Sequence, residues 1–378
     1  MVKSASRLIV NGNGTLSKHV LIDRSIRTVY NDLRPIFVIG HLQFIICISP
    51  MLDLLNGLVI KAQSGFFTVR TDAGDDVVCQ VRGRLKKDRL DTDLVAIGDR
   101  VSISLAKDGT GMIEEVTERE RALARLSPRP GGRGARRWDR NGYLAEREQV
   151  IVANPDQAIF VFACADPAPR LRMLDRLLVG AELQHIPPVI CANKIDLVKR
   201  KESRDIFGAY EEIDYHVIYT SASKKQGIEE LGKQIEGKVS VLVGPSGTGK
   251  TSLLNALQPG LGLQVREISQ ATGKGRHTTV VPQLFPLECG GWIADTPGIR
   301  ALALFDVDPE ELDAYFPDIA PFVTHCQFSD CNHIVEPGCA VIQAVEDGLV
   351  SEHRYESYVR LREEHQKLAD MYWWGISD

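Results

Sequence analysis

The residues best suited to chemistry form one glycine-rich run. It reads Gly244-Pro245-Ser246-Gly247-Thr248-Gly249-Lys250-Thr251-Ser252, between an apolar stretch at 239–243 and a helix-like stretch that ends at 257. Such glycines permit a tight loop whose N–H groups converge on phosphate oxygens, and the following helix adds its positive end. The run therefore predicts a nucleotide-binding P-loop, with Lys250 at the β- and γ-phosphates and Thr251 on Mg²⁺.

A second motif, Asn193-Lys194-Ile195-Asp196, precedes the P-loop. A carboxylate at Asp196 can accept hydrogen bonds from guanine N1–H and the exocyclic amine, a donor pair that adenine lacks. We expect Asn193 to tie this loop to the P-loop and the Lys194 stem to lie over the base. Ser221 and Ala222 match the loop whose backbone amides meet guanine O6.

A third motif, Asp295-Thr296-Pro297-Gly298, follows the P-loop. Asp295 is predicted to hold Mg²⁺ through water, because this ion keeps much of its hydration shell. Gly298 would let a backbone amide approach the γ-phosphate. The base-reading motif comes first and the P-loop second, an order that a circular permutation produces without altering the site, because the site depends on where strand ends meet.

Five strand-like stretches at 58–63, 66–71, 77–81, 100–105 and 112–116 predict a small β-barrel of the OB or SH3-like type. From residue 151 onward, strands alternate with helices, as at 158–163, 171–183, 188–192 and 228–235, which predicts a mainly parallel sheet with its ligand at the carboxyl ends of the strands. After Gly298 the sequence is mostly helical, ending in a charged helix near 351–371.

Between these parts, residues 119–140 hold eight arginines against two acids, interleaved with proline and glycine. This composition predicts a flexible, basic linker. It is either a solvated connector or a strap that orders on RNA, because arginine forks suit phosphates.

A metal cluster is predicted from Cys326, Cys331, His333 and Cys339. Three thiolates and one imidazole make a closed tetrahedral set typical of structural zinc. His325 is an adjacent competitor for ligation. The remaining cysteines, which lack partner spacing, are expected to be small core residues: Cys47, Cys79, Cys164, Cys191 and Cys289.

The permuted motif order, the β-rich segment before it and the Cys/His cluster behind it resemble the RsgA (YjeQ/EngC) family from about Asn56 to the C-terminus. That resemblance implies an OB-fold barrel, structural zinc, Mg²⁺ and GTP hydrolysis on the small ribosomal subunit during its late maturation. It also identifies residues 273–279 as switch I. Gly298 is followed by Ile299, an apolar residue unable to activate water, so His277 is the best candidate to position it, and Thr278 or Thr279 would sense Mg²⁺ and the γ-phosphate.

The predicted organisation has five parts: an N-terminal extension at 1–56, the barrel at 57–118, the linker at 119–148, a circularly permuted GTPase domain at 149–303 and a zinc-binding helical domain at 304–378. In the extension, the apolar stretch at 36–51 is shorter than the ~20 residues of a spanning helix, and Met51 is an alternative start.

The net charge of −5 gives no global attraction to nucleic acid, so rRNA must be bound by local patches. We expect a cytoplasmic monomer that binds GTP, GDP and the small subunit with its rRNA, and no membrane. Two alternatives stay open: a P-loop nucleotide kinase, and an RNA-binding scaffold with nucleotide as a structural ligand.

Overall fold

The computed structural model describes residues 54–83, 85, 93–128, 146–262, 283–295 and 308–374, together with two short strands, β1 (Phe37–Ile39) and β2 (Leu42–Phe44). The chain divides into two compact units, residues 1–53 and 54–378. In the first, β1 and β2 form an antiparallel hairpin. Among the described residues, none of the helices combines the length and apolarity needed to cross a bilayer.

The second unit begins with a closed five-stranded barrel. Its strands are β3 (Leu55–Gln63), β4 (Phe66–Thr71), β5 (Asp76–Val81), β6 (Arg100–Leu105) and β7 (Gly111–Val116). Their order is β3-β4-β5-β7-β6, and a β3–β6 pairing closes the barrel. Alternating side chains such as Val59, Val69 and Ile103 fill its interior. The barrel predicted from the sequence is confirmed, and its shape is OB-like.

The central sheet is built from β10 (Gln157–Ala163), β11 (Pro188–Asn193), β12 (His216–Tyr219), β13 (Val239–Val243), β14 (Gln283–Pro286) and β15 (Trp292–Asp295). Their order is β12-β11-β10-β13-β15-β14, and every pairing is parallel except the one between β14 and β15. The mainly parallel sheet predicted from the sequence is therefore confirmed.

Helices cover both faces of this sheet: α1 (Leu171–Leu183), α2 (Arg200–Glu211), α3 (Ile228–Ile235) and α4 (Lys250–Leu257). Strand β10 is buried along its whole length and contributes to two cores. Phe160 and Phe162 pack with residues of α1 and α2, whereas Ile159 and Val161 pack with residues of α3 and α4. A strand buried on both faces reads as a continuous apolar run, as this one does.

The barrel is continuous with the central sheet. Strand β3 pairs antiparallel with β14 at Lys61 and Gln283, and Ile60 belongs to the same buried cluster as Leu284. The guanidinium carbon of Arg70 lies 5.5 Å from the ring centre of Trp292, a cation–π contact. The barrel is therefore attached to β14, the strand that comes after the predicted switch I in the sequence.

The linker prediction is wrong for part of its length. Residues of β8 (Ala122–Pro128) pair antiparallel with β9 (Glu146–Ala153). Leu123 is fully buried in the main core, and the Arg119 guanidinium forms two 2.7 Å hydrogen bonds to the buried carboxylate of Asp99. The strand was missed because the many arginines of this stretch indicated a solvated linker, although Leu123 and Ala124 within it are apolar. Residues 129–145, with Arg133, Arg136, Arg137 and Arg140, lie outside the described residues.

Within residues 308–374, the C-terminal segment forms three helices, α5 (Ala320–Val323), α6 (Ala340–Glu346) and α7 (Glu352–Trp374), and a 3-10 turn at Leu312–Tyr315. Its core contains Leu312, Phe316 and Tyr358. The expectation of small core cysteines holds for Cys79, Cys164 and Cys191, which are buried, and is wrong for Cys289, which is exposed. Cys289 lies in the turn between β14 and β15, where its neighbours Glu288 and Gly290 are exposed as well, so its side chain faces solvent. Cys47 lies outside the described residues.

Candidate nucleotide site and metal cluster

The P-loop lies between β13 and α4, at the carboxyl end of a central strand. Two of its glycines are sterically required. A Cβ at Gly244 would lie 2.1 Å from the carbonyl oxygen of Val161, and one at Gly249 would lie 2.4 Å from Nδ2 of Asn193. Gly249, the N-cap of α4, also has a φ of 95°, in the region that favours glycine.

Lys250 lies at the mouth of this loop. Its Nζ donates hydrogen bonds to the carbonyl oxygens of Gly244 at 2.6 Å and Pro245 at 2.8 Å. Thr251 and Ser252, in the first turn of α4, are exposed. A lysine over a helix N-terminus, with hydroxyls beside it, is the arrangement that binds phosphates and their metal ion.

Asn193 joins the predicted base-reading loop to the P-loop. It ends β11 and is 1% exposed. Its Nδ2 donates to the carbonyl oxygen of Thr248 at 2.8 Å, and its Oδ1 accepts from the hydroxyl of Thr220 at 3.1 Å. Both polar atoms of this buried amide are therefore satisfied, which fixes its orientation. The tie predicted from the sequence lies where it was expected.

The carboxylate of Asp196 is exposed and held by two hydroxyls. Ser221 donates to Oδ1 at 2.5 Å and Ser223 to Oδ2 at 3.0 Å. The hydrogen bond from Ser221, with that from Ser223, lowers the pKa of Asp196 below its ordinary value despite some desolvation. The side chain is therefore an oriented, charged acceptor, which suits the two donors on the guanine edge.

Lys194 has a left-handed backbone conformation, with a φ of 62°. Its Nζ donates a hydrogen bond to the carbonyl oxygen of Asp166, in the loop after β10. Ile195 and Ala222 are half-buried. The backbone N–H of Ile195 donates to the carbonyl oxygen of Thr220 at 3.2 Å, so the two base-side loops are joined.

Of the Asp-Thr-Pro-Gly motif, the structure describes only the backbone of the first residue, Asp295. Asp295 ends β15, the parallel neighbour of the P-loop strand. The side chain of Asp295 and residues His277, Thr278, Thr279 and Gly298 lie outside what the structure describes. Their predicted roles stay predictions.

The four predicted metal ligands converge in the C-terminal segment. The ligand atoms of Cys326, Cys331, His333 and Cys339 all lie within 4.8 Å of one another. Cys326 Sγ lies 3.4 Å from His333 Nδ1 and 3.9 Å from Cys339 Sγ, and Cys339 Sγ lies 3.5 Å from His333 Nδ1. Tetrahedral zinc would place two sulfurs about 3.8 Å apart and sulfur and nitrogen about 3.5 Å apart. The donor set therefore fits zinc in both chemistry and spacing.

The surrounding groups orient these ligands. His333 Nε2 lies 3.1 Å from Oδ2 of Asp313, so the ring directs Nδ1 towards the sulfurs. His325 is excluded as a competitor, because its side chain is exposed and its Nδ1 lies 3.2 Å from the carbonyl oxygen of Pro321. Burial opposes the charge of Glu336, but hydrogen bonds from the backbone N–H groups of Ile334, Val335 and Asn332 lower its pKa to about 2.

Sequence reasoning missed several of these supporting residues. Of these residues, Ser223 is the one that the sequence could have indicated, because it lies two positions after Ser221 and is also a serine. Asp313 precedes His333 by twenty positions and has no spacing signature. Thr220 and Asp166 become partners of the base-side loop only through the fold.

The P-loop and the Asn-Lys-x-Asp loop lie together at the carboxyl ends of parallel strands, the arrangement of a P-loop GTPase. Because the strand that carries the base-reading loop comes before the P-loop strand in the chain, the class is that of the circularly permuted GTPases. The sequence profile of the RsgA GTPase matches residues 137–305, and that of the RsgA N-terminal domain matches residues 56–113. The chain belongs to the RsgA GTPase family.

Individual relatives agree with this assignment. The chain is 43% identical over 313 residues to the small ribosomal subunit biogenesis GTPase RsgA of Gemmatimonas aurantiaca, covering 82% of this chain and 97% of that protein. It is 40% identical to the RsgA of Moorella thermoacetica, covering 81% and 95%.

Solved structures share the fold. YjeQ from Thermotoga maritima matches with a TM-score of 0.67 and 34% identity, over 83% of this chain and 99% of that chain. YloQ, described as a circularly permuted GTPase, matches with a TM-score of 0.63 and 30% identity, over 84% and 97%.

Proposed function

We propose that this protein hydrolyses GTP to GDP and phosphate while bound to the small ribosomal subunit, and assists late maturation of that subunit. The observation that carries the choice of nucleotide is the Asn193–Thr248 hydrogen bond, which fixes the base-reading loop to the phosphate loop. Asp196, charged and oriented by Ser221 and Ser223, then selects guanine. The names of the relatives support the subunit as partner.

In this proposal each site residue has a physical task. The loop from Gly244 to Gly249 holds the phosphates through backbone N–H groups, and Lys250 exchanges its carbonyl partners for phosphate oxygens. Thr251 and Asp295 hold Mg²⁺, which supplies charge neutralisation at the phosphates when bound. His277 positions the attacking water, and Thr278 or Thr279 senses Mg²⁺ and the γ-phosphate.

Cys326, Cys331, His333 and Cys339 hold one structural zinc, which fixes the C-terminal segment. Residues 129–145 supply the densest positive charge for rRNA. The domain boundaries predicted from the sequence remain part of the proposal, except that the linker is restricted to residues 129–145, between the paired strands β8 and β9. A monomeric state, a cytoplasmic location and the absence of a membrane partner are also proposed.

The test is nucleotide turnover by the full chain with and without purified small ribosomal subunits, using GTP and ATP in parallel. We expect GTP turnover that rises when subunits are added and little ATP turnover. Transfer of phosphate to a nucleoside monophosphate would instead identify a kinase. Nucleotide binding without turnover in either condition would identify a scaffold.

A further inference from the structure

The loops that carry the metal ligands present apolar side chains to solvent. Phe328, between Cys326 and Cys331, is 43% exposed, and Val335, between His333 and Cys339, is 83% exposed. We call the exposed residues Phe328, Asp330 and Val335 the zinc-loop face. The two loops lie against each other, because the backbone N–H of Gln327 donates to the carbonyl oxygen of Gly338 at 3.2 Å.

The zinc-loop face is held in place from beneath. Glu336 accepts hydrogen bonds from the backbone N–H groups of Asn332, Ile334 and Val335, which fixes the loop around Val335. The hydroxyls of Tyr355 and Tyr358 donate to the carbonyl oxygens of His333 at 2.8 Å and Asn332 at 3.1 Å. The apolar side chains are therefore displayed by a preorganised loop, as at binding surfaces.

The acidic charge around this face disfavours a phosphate backbone as its partner. Residues 301–353 contain no lysine or arginine and eleven aspartates and glutamates. Four cations follow in α7. Arg354 is 2% exposed and bound to Asp175 and Asp318, and Arg362 is 7% exposed and bound to Pro309 and Asn332. Arg360 and Lys367 are exposed, but at about 3.6 residues per turn they lie on the side of α7 opposite Tyr355 and Tyr358, which contact the zinc loops. Binding to nucleic acid relies on exposed lysine and arginine.

We propose that the zinc-loop face docks onto a basic polypeptide segment that carries apolar side chains, and not onto RNA. The apolar contact comes from Phe328 and Val335, and the opposite charge from Asp330 and the acidic residues around it. The proposal rests on the proposed function in one respect, since it places that segment on the small ribosomal subunit. RNA contact is then left to the arginine-rich region at 129–145.

The first test uses the full-length, zinc-loaded protein and two labelled probes: a synthetic peptide of repeated Lys-Lys-Leu units and a single-stranded RNA of similar length. The double variant Phe328→Ser/Val335→Ser removes the apolar contact. Leu349→Ser is the matched control, because Leu349 is 66% exposed and lies outside the zinc loops. We expect the double variant to raise the peptide Kd roughly tenfold, and to leave zinc content, Tm and RNA affinity unchanged. The control should change none of these.

The proposal is overturned if the double variant binds the peptide as tightly as the unmodified chain, if it loses RNA affinity, or if Leu349→Ser weakens the peptide equally. Should the double variant lose zinc, Asp330→Lys replaces it, with the same expected loss of peptide affinity.

The second test places the photoreactive residue p-benzoylphenylalanine at position 335 and irradiates the full chain on purified small subunits. We expect a crosslinked product that resists ribonuclease and contains a subunit protein. A crosslink to rRNA, or none from a chain that cosediments with subunits, contradicts the proposal. Failure to cosediment contradicts the proposed function instead, and the peptide measurement then decides this inference by itself.

Discussion

Arg354 Nη1 donates a hydrogen bond to Asp175 Oδ1 over 2.7 Å, although the two residues are 179 positions apart. Arg354 also binds Asp318 through Nη2 at 2.7 Å and Nε at 3.1 Å, and the hydroxyl of Tyr210 donates to Asp175 at 2.8 Å. Asp175 lies in α1 and Arg354 in α7, so this buried group joins the central domain to the C-terminal segment.

Replacing Arg354 by methionine leaves Asp175 and Asp318 buried without their cation. We expect this to lower the free energy of unfolding by about 3–5 kcal/mol, the usual cost of breaking a buried ion pair from one side. Urea denaturation measures it, and Arg360→Met, an exposed arginine on the same helix, is the control. Adding Asp175→Asn and Asp318→Asn to Arg354→Met should recover part of the loss. Equal stability of Arg354→Met and Arg360→Met would refute the role of the group.

Asp196→Asn should abolish the preference for guanine nucleotides. Losing a charged acceptor of two hydrogen bonds weakens GTP binding roughly 30-fold, whereas ATP binding changes little. Asp205→Asn, an exposed aspartate on α2, is the control. Because the pKa of Asp196 is lowered, its charge persists as pH falls from 7 to about 5, and GTP affinity should hold across that range. Titrations with fluorescent GTP and ATP analogues decide this, and equal affinities in the unmodified protein would contradict it.

His277→Ala should lower the kcat for GTP on small subunits roughly 10²–10⁴-fold, the range of general acid–base contributions. GTP affinity should stay the same, the pattern of a group that acts in the transition state. Lys250→Ala should remove turnover together with phosphate binding. His216→Ala, an exposed histidine that begins β12, is the matched control. An unchanged turnover rate for His277→Ala would show that the residue has no such role.

Metal analysis should find one zinc per chain, and Cys331→Ser should reduce that content and loosen residues 326–339, because a closed thiolate site contributes directly to local folding. Cys289→Ser, at an exposed cysteine, should leave the zinc content unchanged.

Asp313→Asn should weaken zinc affinity roughly 10–100-fold, because Asp313 orients the zinc ligand His333. Asp308→Asn, at an exposed aspartate, is its control. Chelator competition measures these affinities, and a chain purified without chelator that holds no zinc would disprove the assignment.

Neutralising Arg133, Arg136, Arg137 and Arg140 should weaken small-subunit binding and flatten its salt dependence, because fewer counterions are released from the rRNA. GTP affinity away from the subunit should stay the same. A control variant neutralises four exposed cations elsewhere, namely Arg200, Lys201, Arg360 and Lys367. Cosedimentation at several salt concentrations distinguishes the two variants. If binding and its salt slope survive the first change, the segment is only a connector.

The sequence by itself determined the parts of the site that are encoded locally. The P-loop, the Asn-Lys-x-Asp loop and the Cys/His cluster each lie within a short stretch, where glycine placement and ligand spacing restrict the backbone directly. For the same reason, the helices Leu171–Leu183 and Ile228–Ile235 have the bounds that their sequence pattern predicts.

Only the tertiary structure decided how these parts support one another. Asn193 binds Thr248, which lies 55 positions away, and Asp313 orients His333, 20 positions away. Arg354 binds Asp175 across 179 positions. Strand β8 lay hidden in an arginine-rich stretch because its partner β9 begins beyond that stretch. The exposure of Cys289 likewise depended on its turn. Local sequence sets backbone preference and donor chemistry, whereas burial and long-range pairing depend on which distant segments the fold brings together.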